Sequence, residues 1–352
     1  MPRPSANSVT IREVASAAGV SVATVSRALN GNSAVAAALR ERVLAAATRL
    51  GYTPHAAARA LASQRSRTIG AVIPTLENVN FALGIEALQR RLADAGYTLL
   101  LASSNYDSAE ELRQVRALAA QGVAGMMLVG ASHAPEIYEF LQARSIPFVT
   151  TWVLDAAHPS IGFDNREIGR ALANYLLDLG HTQFGVIVQV GTRSDRAADR
   201  VVGIREALAA RGLPPPEVRV TERPYKIVEG QLALRALMQA QPRPTAVICG
   251  TDSLAFGALR EAERLGLAVP RELSIAGIND AEFAAHLNPP LTTMRLPADE
   301  IGTRAAEYLL GCVAGQPAVQ PMVPLTQVQF SLIVRGSTAP PVHLQRQLEQ
   351  LA

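Results

Sequence analysis

The chain has 352 residues, a mean hydropathy of +0.14, 18% charged and 5% aromatic residues, and a formal charge of +3. That length is too great for one ordinary core and implies two or three folding units. Two cysteines, Cys249 and Cys312, make no disulfide framework, and no apolar run approaches the ~20 residues of a membrane span. No signal-peptide pattern opens the chain, so the expected compartment is the cytoplasm.

The small net charge hides an asymmetry. Residues 1–65 carry eight arginines against Glu13 and Glu41, a surplus of +6, which leaves −3 for the remainder. A solvated basic surface would account for the charge alone. Contact with a polyanion accounts for its confinement to one end.

Residues 1–9, with Pro2 and Pro4, read as an arm. Thr10 and Glu13 then form a capping box, which starts a helix at Ile11 with Ile11, Val14, Ala15 and Ala18 on one face. Gly19 follows where a turn needs positive φ. Ser21 caps a second helix in which Val25 and Leu29 face inward, leaving Val22, Ala23, Ser26, Arg27 and Asn30 outside. Two short helices about one glycine make a helix-turn-helix, whose second helix enters a DNA major groove. After a turn at Gly31 to Ser33, a third helix runs from about Ala37 to Leu50, with Leu39, Val43, Ala46, Ala47 and Leu50 as its apolar stripe and Gly51 as its stop. Pro54 suits the start of another helix in HAAARALASQ. About eight residues cannot hold a helix alone, since isolated helices below ~12 residues are marginal.

From Ile69 onward, apolar β-type runs alternate with amphipathic helices. The runs are Ile69 to Ile73, Thr98 to Ala102, Met126 to Val129, Phe148 to Thr151, Phe184 to Val188, Ala246 to Cys249 and Ser274 to Gly277. Helices fill 81–95, 108–121, 135–143, 166–180, 197–211, 229–240, 252–266 and 298–313. Such alternation implies parallel sheets covered on both faces, with a ligand cleft at the strand ends. No P-loop, GxGxxG, metal-ligand cluster or Ser-His-Asp order emerges, and the six histidines are scattered. Asp164, Asp252 and Asp280 each lie just beyond a strand, where caps and binding groups are expected. Both cysteines have apolar flanks and read as buried thiols. The expectation is no enzyme, no metal and no cofactor.

The run GVSVATVSRALN, followed by RERVLAAATRLGYTPHAAARALA and IGAVIP, resembles the lac repressor (LacI/GalR) family of transcription factors. The likeness extends through Arg335-Gly336-Ser337-Thr338. It implies a small all-α helix-turn-helix headpiece at 1–53 and a hinge helix with linker at 54–66. Beyond them it implies an α/β periplasmic-binding-protein-like core at 67–338 and a tail at 339–352. The core would be two parallel-sheet subdomains that bind effector and dimerise, with chain crossovers near 163, 292 and 328. The family usually has a serine or threonine where this chain has Ala36, and a threonine is common at Leu39. A missing cap costs about 1 kcal/mol and predicts a less stable headpiece of the same fold.

By the same resemblance, operator contacts come from Thr10, Ser21, Val22, Ala23, Thr24, Ser26, Arg27 and Asn30, and from Tyr52 and His55. In the hinge, Leu61 is the minor-groove wedge, with Ala58 against the groove and Arg59 near phosphate. A plain linker with a buried leucine is the competing reading of that segment. Effector contacts carried over by position are Arg200, three before Gly203, with Arg196 one turn earlier, and the aromatic Tyr225. Asn80 and Phe81, from the loop after the first core strand, Trp152 at the cleft rim, Thr251 and Asn279 complete them. Two arginines in one cleft favour an acidic or highly hydroxylated ligand. Arg200 could instead be a solvent-facing helix residue, and Tyr225 and Trp152 could be packing. Asn279 departs from the aspartate common in relatives, and an amide donates as well as accepts.

The implied partners are double-stranded operator DNA, a small-molecule effector such as a sugar or sugar acid, and a second copy of the chain. A purine-type corepressor is the alternative, and a sugar receptor without a DNA role is opposed by the first 65 residues. Leu344, Leu348 and Leu351 have heptad-like spacing that hints at a tetramer, but so short a segment predicts a frayed end.

Overall fold

The computed structural model describes residues 9–29, 35–52, 66–189, 194–221, 225–315, 325–342 and 344. Asn30, the turn at 31–33, residues 54–65 of the expected hinge and the tail residues Leu348 and Leu351 lie outside the described residues. The chain divides into two compact units, Met1–Ser66 and Arg67–Ala352.

The first unit packs three helices, α1 (Ile11–Ala18), α2 (Val22–Leu29) and α3 (Ala37–Leu50). The capping box is formed: the Thr10 amide donates to Glu13 Oε2 at 2.6 Å and the Glu13 amide donates back to Thr10 Oγ1 at 3.4 Å. Gly19 closes α1 in the left-handed region at φ 62°, which lets the Val20 amide reach the Ala15 carbonyl. Val14, Ala15, Ala18, Val25, Ala28, Val43, Ala46 and Ala47 make the core. Ala28, rather than Leu29, is the buried partner of Val25; Leu29 packs at the edge. Ala36 heads α3 without a side-chain cap.

The second unit is built on two sheets. After β1 (Thr68–Ile73) come α4 (Val79–Asp94), β2 (Thr98–Ser103), α5 (Ser108–Ala120), β3 (Gly125–Val129), α6 (Pro135–Ala143), β4 (Phe148–Thr151) and β5 (Ser160–Gly162). The chain then enters α7 (Asn165–Asp178), β6 (Phe184–Gln189), α8 (Asp195–Ala210), β7 (Glu217–Thr221), α9 (Ile227–Leu237), β8 (Ala246–Cys249), α10 (Asp252–Arg264), β9 (Ser274–Asn279) and, past a 3-10 turn, β10 (Thr292–Arg295). It ends with α11 (Ala298–Val313), β11 (Leu325–Gln327) and β12 (Ser331–Ile333). The strand orders are β11-β5-β4-β3-β1-β2 and β12-β10-β9-β8-β6-β7. Every pairing is parallel except that of β10 with the edge strand β12.

The chain passes between the sheets three times: between Gly162 and Asn165, at Leu296 and Pro297, and between Gln327 and Ser331. The second passage corrects the expected position near 292, because Thr292 already begins β10 and the chain leaves that sheet only after Arg295. Strands β5, β7, β10, β11 and β12 have no counterpart among the apolar runs. They are three to five residues long, and β7, EVRVT, and β10, TTMR, carry charged or hydroxyl side chains.

Three helix pairs cross through paired glycines, where the missing side chains let backbones touch. In α7 against α8, a methyl on Gly169 would overlap the Arg200 carbonyl, and one on Gly203 would overlap the Arg166 carbonyl. Gly230 with Gly257 does the same for α9 against α10, and Gly302 meets the Gly84 carbonyl for α11 against α4. The first pair sets where Arg200 sits.

Replacing Gly203 with Ala should therefore cost about 1–3 kcal/mol, the range for overpacking, and be read as a lowered urea midpoint in the second unit's transition. Replacing Ala36 with Ser should do the opposite for the first unit, slowing amide exchange at Leu39 by an amount equivalent to about 1 kcal/mol. Unchanged exchange there would mean that the uncapped end of α3 is not a weak point.

Candidate DNA interface and effector cleft

In the first unit, α2 is fixed by the core and presents its other face. The Ser21 hydroxyl caps it by accepting from the Thr24 amide at 3.1 Å and bonds the Thr24 hydroxyl at 2.8 Å. Val22, 41% exposed, together with Ala23 and Arg27, is open to solvent, while Thr24 and Ser26 are half-buried. Thr10 is exposed at the start of α1, and Tyr52, half-buried, packs on the core with its amide donating to the Ala47 carbonyl at 2.9 Å. The helix thus shows an apolar pair beside one arginine, a surface able to meet thymine methyls and a phosphate or guanine. The remaining expected DNA contacts, Asn30, His55, Ala58, Arg59 and Leu61, lie outside the described residues.

In the second unit, a narrow cleft lies between the two subdomains. It is lined by Asn78, Asn80, Phe81, Tyr106, Trp152, Ser194, Arg196, Arg200, Tyr225, Asn279 and Leu296. A continuous run of buried hydrogen bonds builds its floor. Arg200 Nε donates to Asn165 Oδ1 at 3.0 Å, and Asn165 Nδ2 donates to the Trp152 carbonyl at 2.9 Å. Trp152 Nε1 donates to Asn80 Oδ1 at 2.6 Å, and Asn80 Nδ2 donates to the Leu296 carbonyl at 3.3 Å. Phe81 meets the indole edge-on at 5.2 Å between centroids.

Arg196 and Arg200 differ in how their charges are met. Arg196 Nη1 bonds Asp195 Oδ1 at 2.7 Å, and its guanidinium lies 5.8 Å over the Phe81 ring. Asp195 Oδ2 accepts from the amides of Ala131 at 2.6 Å and Ser132 at 3.2 Å, so this carboxylate also ties the start of α8 to the other subdomain. Burial works against its charge, but Arg196 and these amides together hold it below the ordinary carboxylate range. Arg200 is only 6% exposed, and among the described residues its one bonded partner is the neutral Asn165. Burial, and then the Arg196 charge, lower its pKa to about 10, so it remains a cation at neutral pH.

Across the cleft the Tyr106 and Tyr225 hydroxyls bond each other. Burial raises both phenols' pKa values, and both stay protonated. Lys226 Nζ bonds Glu77 Oε1 at 2.6 Å at the mouth, and Asn279 Nδ2 donates to Asn78 Oδ1 at 3.4 Å. Backbone strain gathers here too. Asn105, Tyr106, Trp152, Tyr225, Asn279 and Asp280 all have positive φ, the region that non-glycine residues avoid.

Seven of the eight residues expected to meet effector come together in this cleft, with differences in placement. Asn80 and Phe81 lie in the first turn of α4 rather than in a loop, since that helix begins at Val79 under an Asn78 cap. Trp152 is at the floor rather than the rim, 1% exposed. Thr251 is the exception. Its hydroxyl accepts from the Leu254 amide at 3.3 Å as the cap of α10, and it does not line the cleft. Sequence reading missed Asn78, Tyr106, Ser194, Leu296 and the supporting Asn165. Tyr106 was the most findable, as the aromatic residue just after a strand end.

Asp164 caps α7, accepting from the Arg166 amide at 2.8 Å. Asp252 is 1% exposed and accepts from the Ala281 amide at 2.7 Å and the Thr293 hydroxyl at 2.6 Å. Asp280 is held between Arg295 and Arg335, each at 2.7 Å. All three aspartates are structural. Cys249 is buried as expected, whereas Cys312 is only half-buried.

A basic three-helix unit with an exposed second helix, attached to a two-sheet core with a polar cleft, defines a ligand-responsive DNA-binding regulator. Residues 10–55 match the bacterial regulatory proteins of the lacI family, and residues 173–338 match the periplasmic binding protein-like domain. The chain is 34% identical over 333 residues to the HTH-type transcriptional regulator GntR of Pseudomonas aeruginosa, covering 94% of this chain and 95% of that one. Among solved structures, a LacI-family regulator from Silicibacter pomeroyi superposes with a TM-score of 0.84 at 26% identity, over 94% of this chain and 99% of that one. The lac repressor dimer bound to operator and the anti-inducer ONPF superposes at 0.82 with 28% identity, over 95% of this chain and all (100%) of that one. The chain belongs to the LacI family. It is a DNA-binding transcriptional regulator that binds operator DNA as a dimer and responds to a small-molecule effector. No helix among the described residues is long and apolar enough to cross a membrane.

Burial lifts the Asp252 pKa from 3.8 to about 6, against the pull of the Thr293 and Ala281 bonds. A raised carboxyl pKa favours the folded state only while the group is protonated. That contribution is complete below pH 3.8 and is lost as pH rises through about 6. Its size is on the order of 3 kcal/mol. Asp252→Asn keeps an acceptor for Ala281 and can donate to Thr293, so it should be more stable than wild type at pH 7.5, with the advantage shrinking as pH falls towards 4. Urea denaturation across that range would read this, and a difference independent of pH would refute it.

Proposed function

We propose that this regulator is a cytoplasmic repressor whose hold on its operator is set by a sugar or sugar acid seated in the cleft between the core subdomains. The observation that carries this reading is Arg200. Its guanidinium is buried, fixed through one nitrogen to Asn165, and lacks a carboxylate partner among the described residues while facing a cleft rich in amides and hydroxyls. A guanidinium fork in that position suits hydroxyl or carboxylate oxygens, and Phe81, Trp152 and Tyr225 offer flat apolar faces to the carbon skeleton. Contact residues on DNA are Val22, Ala23 and Arg27 of α2, with Thr10, Ser21, Thr24, Ser26 and Tyr52 around them. The short apolar side chains at 22 and 23 read bases by their methyl groups and discriminate loosely there.

The dimer supports the same reading. Val79 and Leu83 on α4, with Leu76 before it, and Val228 and Leu232 on α9, with Ile227, are 41–56% exposed apolar residues at helical spacing. Both helices follow strands that end at the cleft, so a second copy covering them would sense how the subdomains stand to each other. Ligand shifts that arrangement only by binding one form more tightly than another.

Two measurements test the proposal. Effector should change operator affinity in gel shifts at fixed salt by at least tenfold, and equal affinity with and without it would rule out the switch. Exchanging Val22 and Ala23 together should change the preferred operator in a binding-site selection without changing effector affinity, and an unchanged preference would remove α2 from base reading.

A further inference from the structure

A second cluster of buried polar groups gathers on the loop that leaves β3. Gly130, Ala131 and Ser132 make the seat on which the start of α8 rests: the Ala131 and Ser132 amides donate to Asp195 Oδ2, and a methyl on Gly130 would overlap Arg196 Nη1. The loop's carbonyls are held from its own subdomain. Tyr138 Oη donates to the Ala131 carbonyl at 3.0 Å, and His133 Nε2 bonds the Gly130 carbonyl at 3.0 Å. His133 Nδ1 bonds Glu111 Oε2 at 2.9 Å, and these two side chains are 2% and 12% exposed. Among the described residues, the other titratable or charged groups around the ring are Tyr138 of α6, edge-on at 5.7 Å, and Tyr106, Asp107, Asp195 and Arg196, which line the same recess. His158, bonded to Asp155 at 2.8 Å, stacks on Tyr138 at 3.8 Å. Burial, and then the charges of Asp155, Glu111 and Asp195, raise the Tyr138 pKa, so that phenol keeps its hydrogen and stays a donor.

A backbone carbonyl cannot donate, so His133 Nε2 carries a hydrogen. An ionised carboxylate cannot donate either, so Nδ1 carries one as well, imidazole being the stronger base of the two. Both bonds are complete only while the pair holds one proton more than a neutral imidazole beside a carboxylate. We propose that His133 and Glu111 form a proton-dependent latch that positions the Gly130–Ser132 loop and, through it, the hold of one core subdomain on the other. When the extra proton leaves to water, the neutral ring has one hydrogen for two acceptors. A lone pair then faces either the Gly130 carbonyl or the Glu111 carboxylate, and in so sheltered a place that opposition pushes the loop from its seat under Asp195. The latch is therefore complete at low pH and weakens as pH rises and the pair gives up its proton. His133 acts as a positioning residue, and the latch does not depend on which ligand the cleft takes. Any ligand that binds the latched arrangement more tightly takes up protons as it binds and gains affinity as pH falls, and one that favours the unlatched arrangement does the reverse.

The test is hydrogen–deuterium exchange on the full chain from about pH 5 to about pH 9, read by mass spectrometry on peptides that contain the Ala131 and Ser132 amides and corrected for the intrinsic exchange rate at each pH. Protection of these amides should fall at least fivefold in wild type as pH rises across that range. In Glu111→Gln the introduced amide can donate to Nδ1 while Nε2 still donates to the Gly130 carbonyl, so a neutral ring satisfies both partners. That variant should keep the low-pH protection of wild type at every pH, whereas a merely structural ion pair would leave it less protected throughout. Constant protection in wild type would overturn the latch. So would a Glu111→Gln variant with the wild-type pH dependence, which would move the proton to another group such as His158 with Asp155. Nitrogen-15 spectra of labelled histidines, with His133 assigned by its loss in His133→Gln, give a second reading on wild type. Both ring nitrogens should carry hydrogen at about pH 5 and one should lose it by about pH 9. A ring that stays neutral from pH 5 upward would overturn the latch even if Glu111→Gln failed to fold.

Discussion

The core depends on one run of buried hydrogen bonds, from Arg200 through Asn165 and Trp152 to Asn80 and Leu296. Its members come from both subdomains and from two of the three passages between them: Asn165 opens the helix after the first, and Leu296 is the second. Both asparagines use the two ends of their amides, Asn165 accepting from Arg200 while donating to Trp152, and Asn80 accepting from Trp152 while donating to Leu296. Such a network is costly when any member is missing, because a buried polar group then goes without a partner. That cost is what holds the floor of the cleft in one geometry.

The network in turn relies on close helix contacts. Asn165 and Arg200 can meet because α7 and α8 cross at Gly169 and Gly203, with backbone against backbone. The same device recurs one turn along α4 from Asn80, where Gly84 faces both Gly302 and the Trp152 ring. Asn80, Asn165 and Arg200 are therefore each about one turn from a glycine crossing, and Trp152 at φ 61°, Tyr225 at φ 70° and Asn279 at φ 126° sit in strained backbone. Helix crossings supply rigidity, and strand ends supply the unusual directions in which side chains must point.

Much of this was legible in the chain itself. The capping box at Thr10, the glycine at 19 and the charge surplus define the first unit, because local bonds and helical spacing need only neighbouring residues. The alternation of apolar runs and helices likewise points to parallel sheets. What escaped reading depends on distant partners. Nothing local marks β7 or β10 as strands, since sheet neighbours rather than their own composition make them so. Thr251 was carried over by position from the resemblance, yet that position begins a helix here, and the cap claimed its hydroxyl. Asn165 gave no signal, since its role exists only once Gly169 and Gly203 have brought two helices together.

The ties across the cleft decide how a small ligand can move so large a body. The Lys226 bond to Glu77 is half-exposed at both ends, so screening leaves it worth little, about 0–1 kcal/mol. The Asp195 bonds to Ala131 and Ser132 are sheltered and charge-assisted, and they are made by the residue that also neutralises Arg196. A ligand that drew Arg196 away from Asp195 would therefore act on this sheltered tie, provided it held one arrangement of the subdomains more tightly than the other.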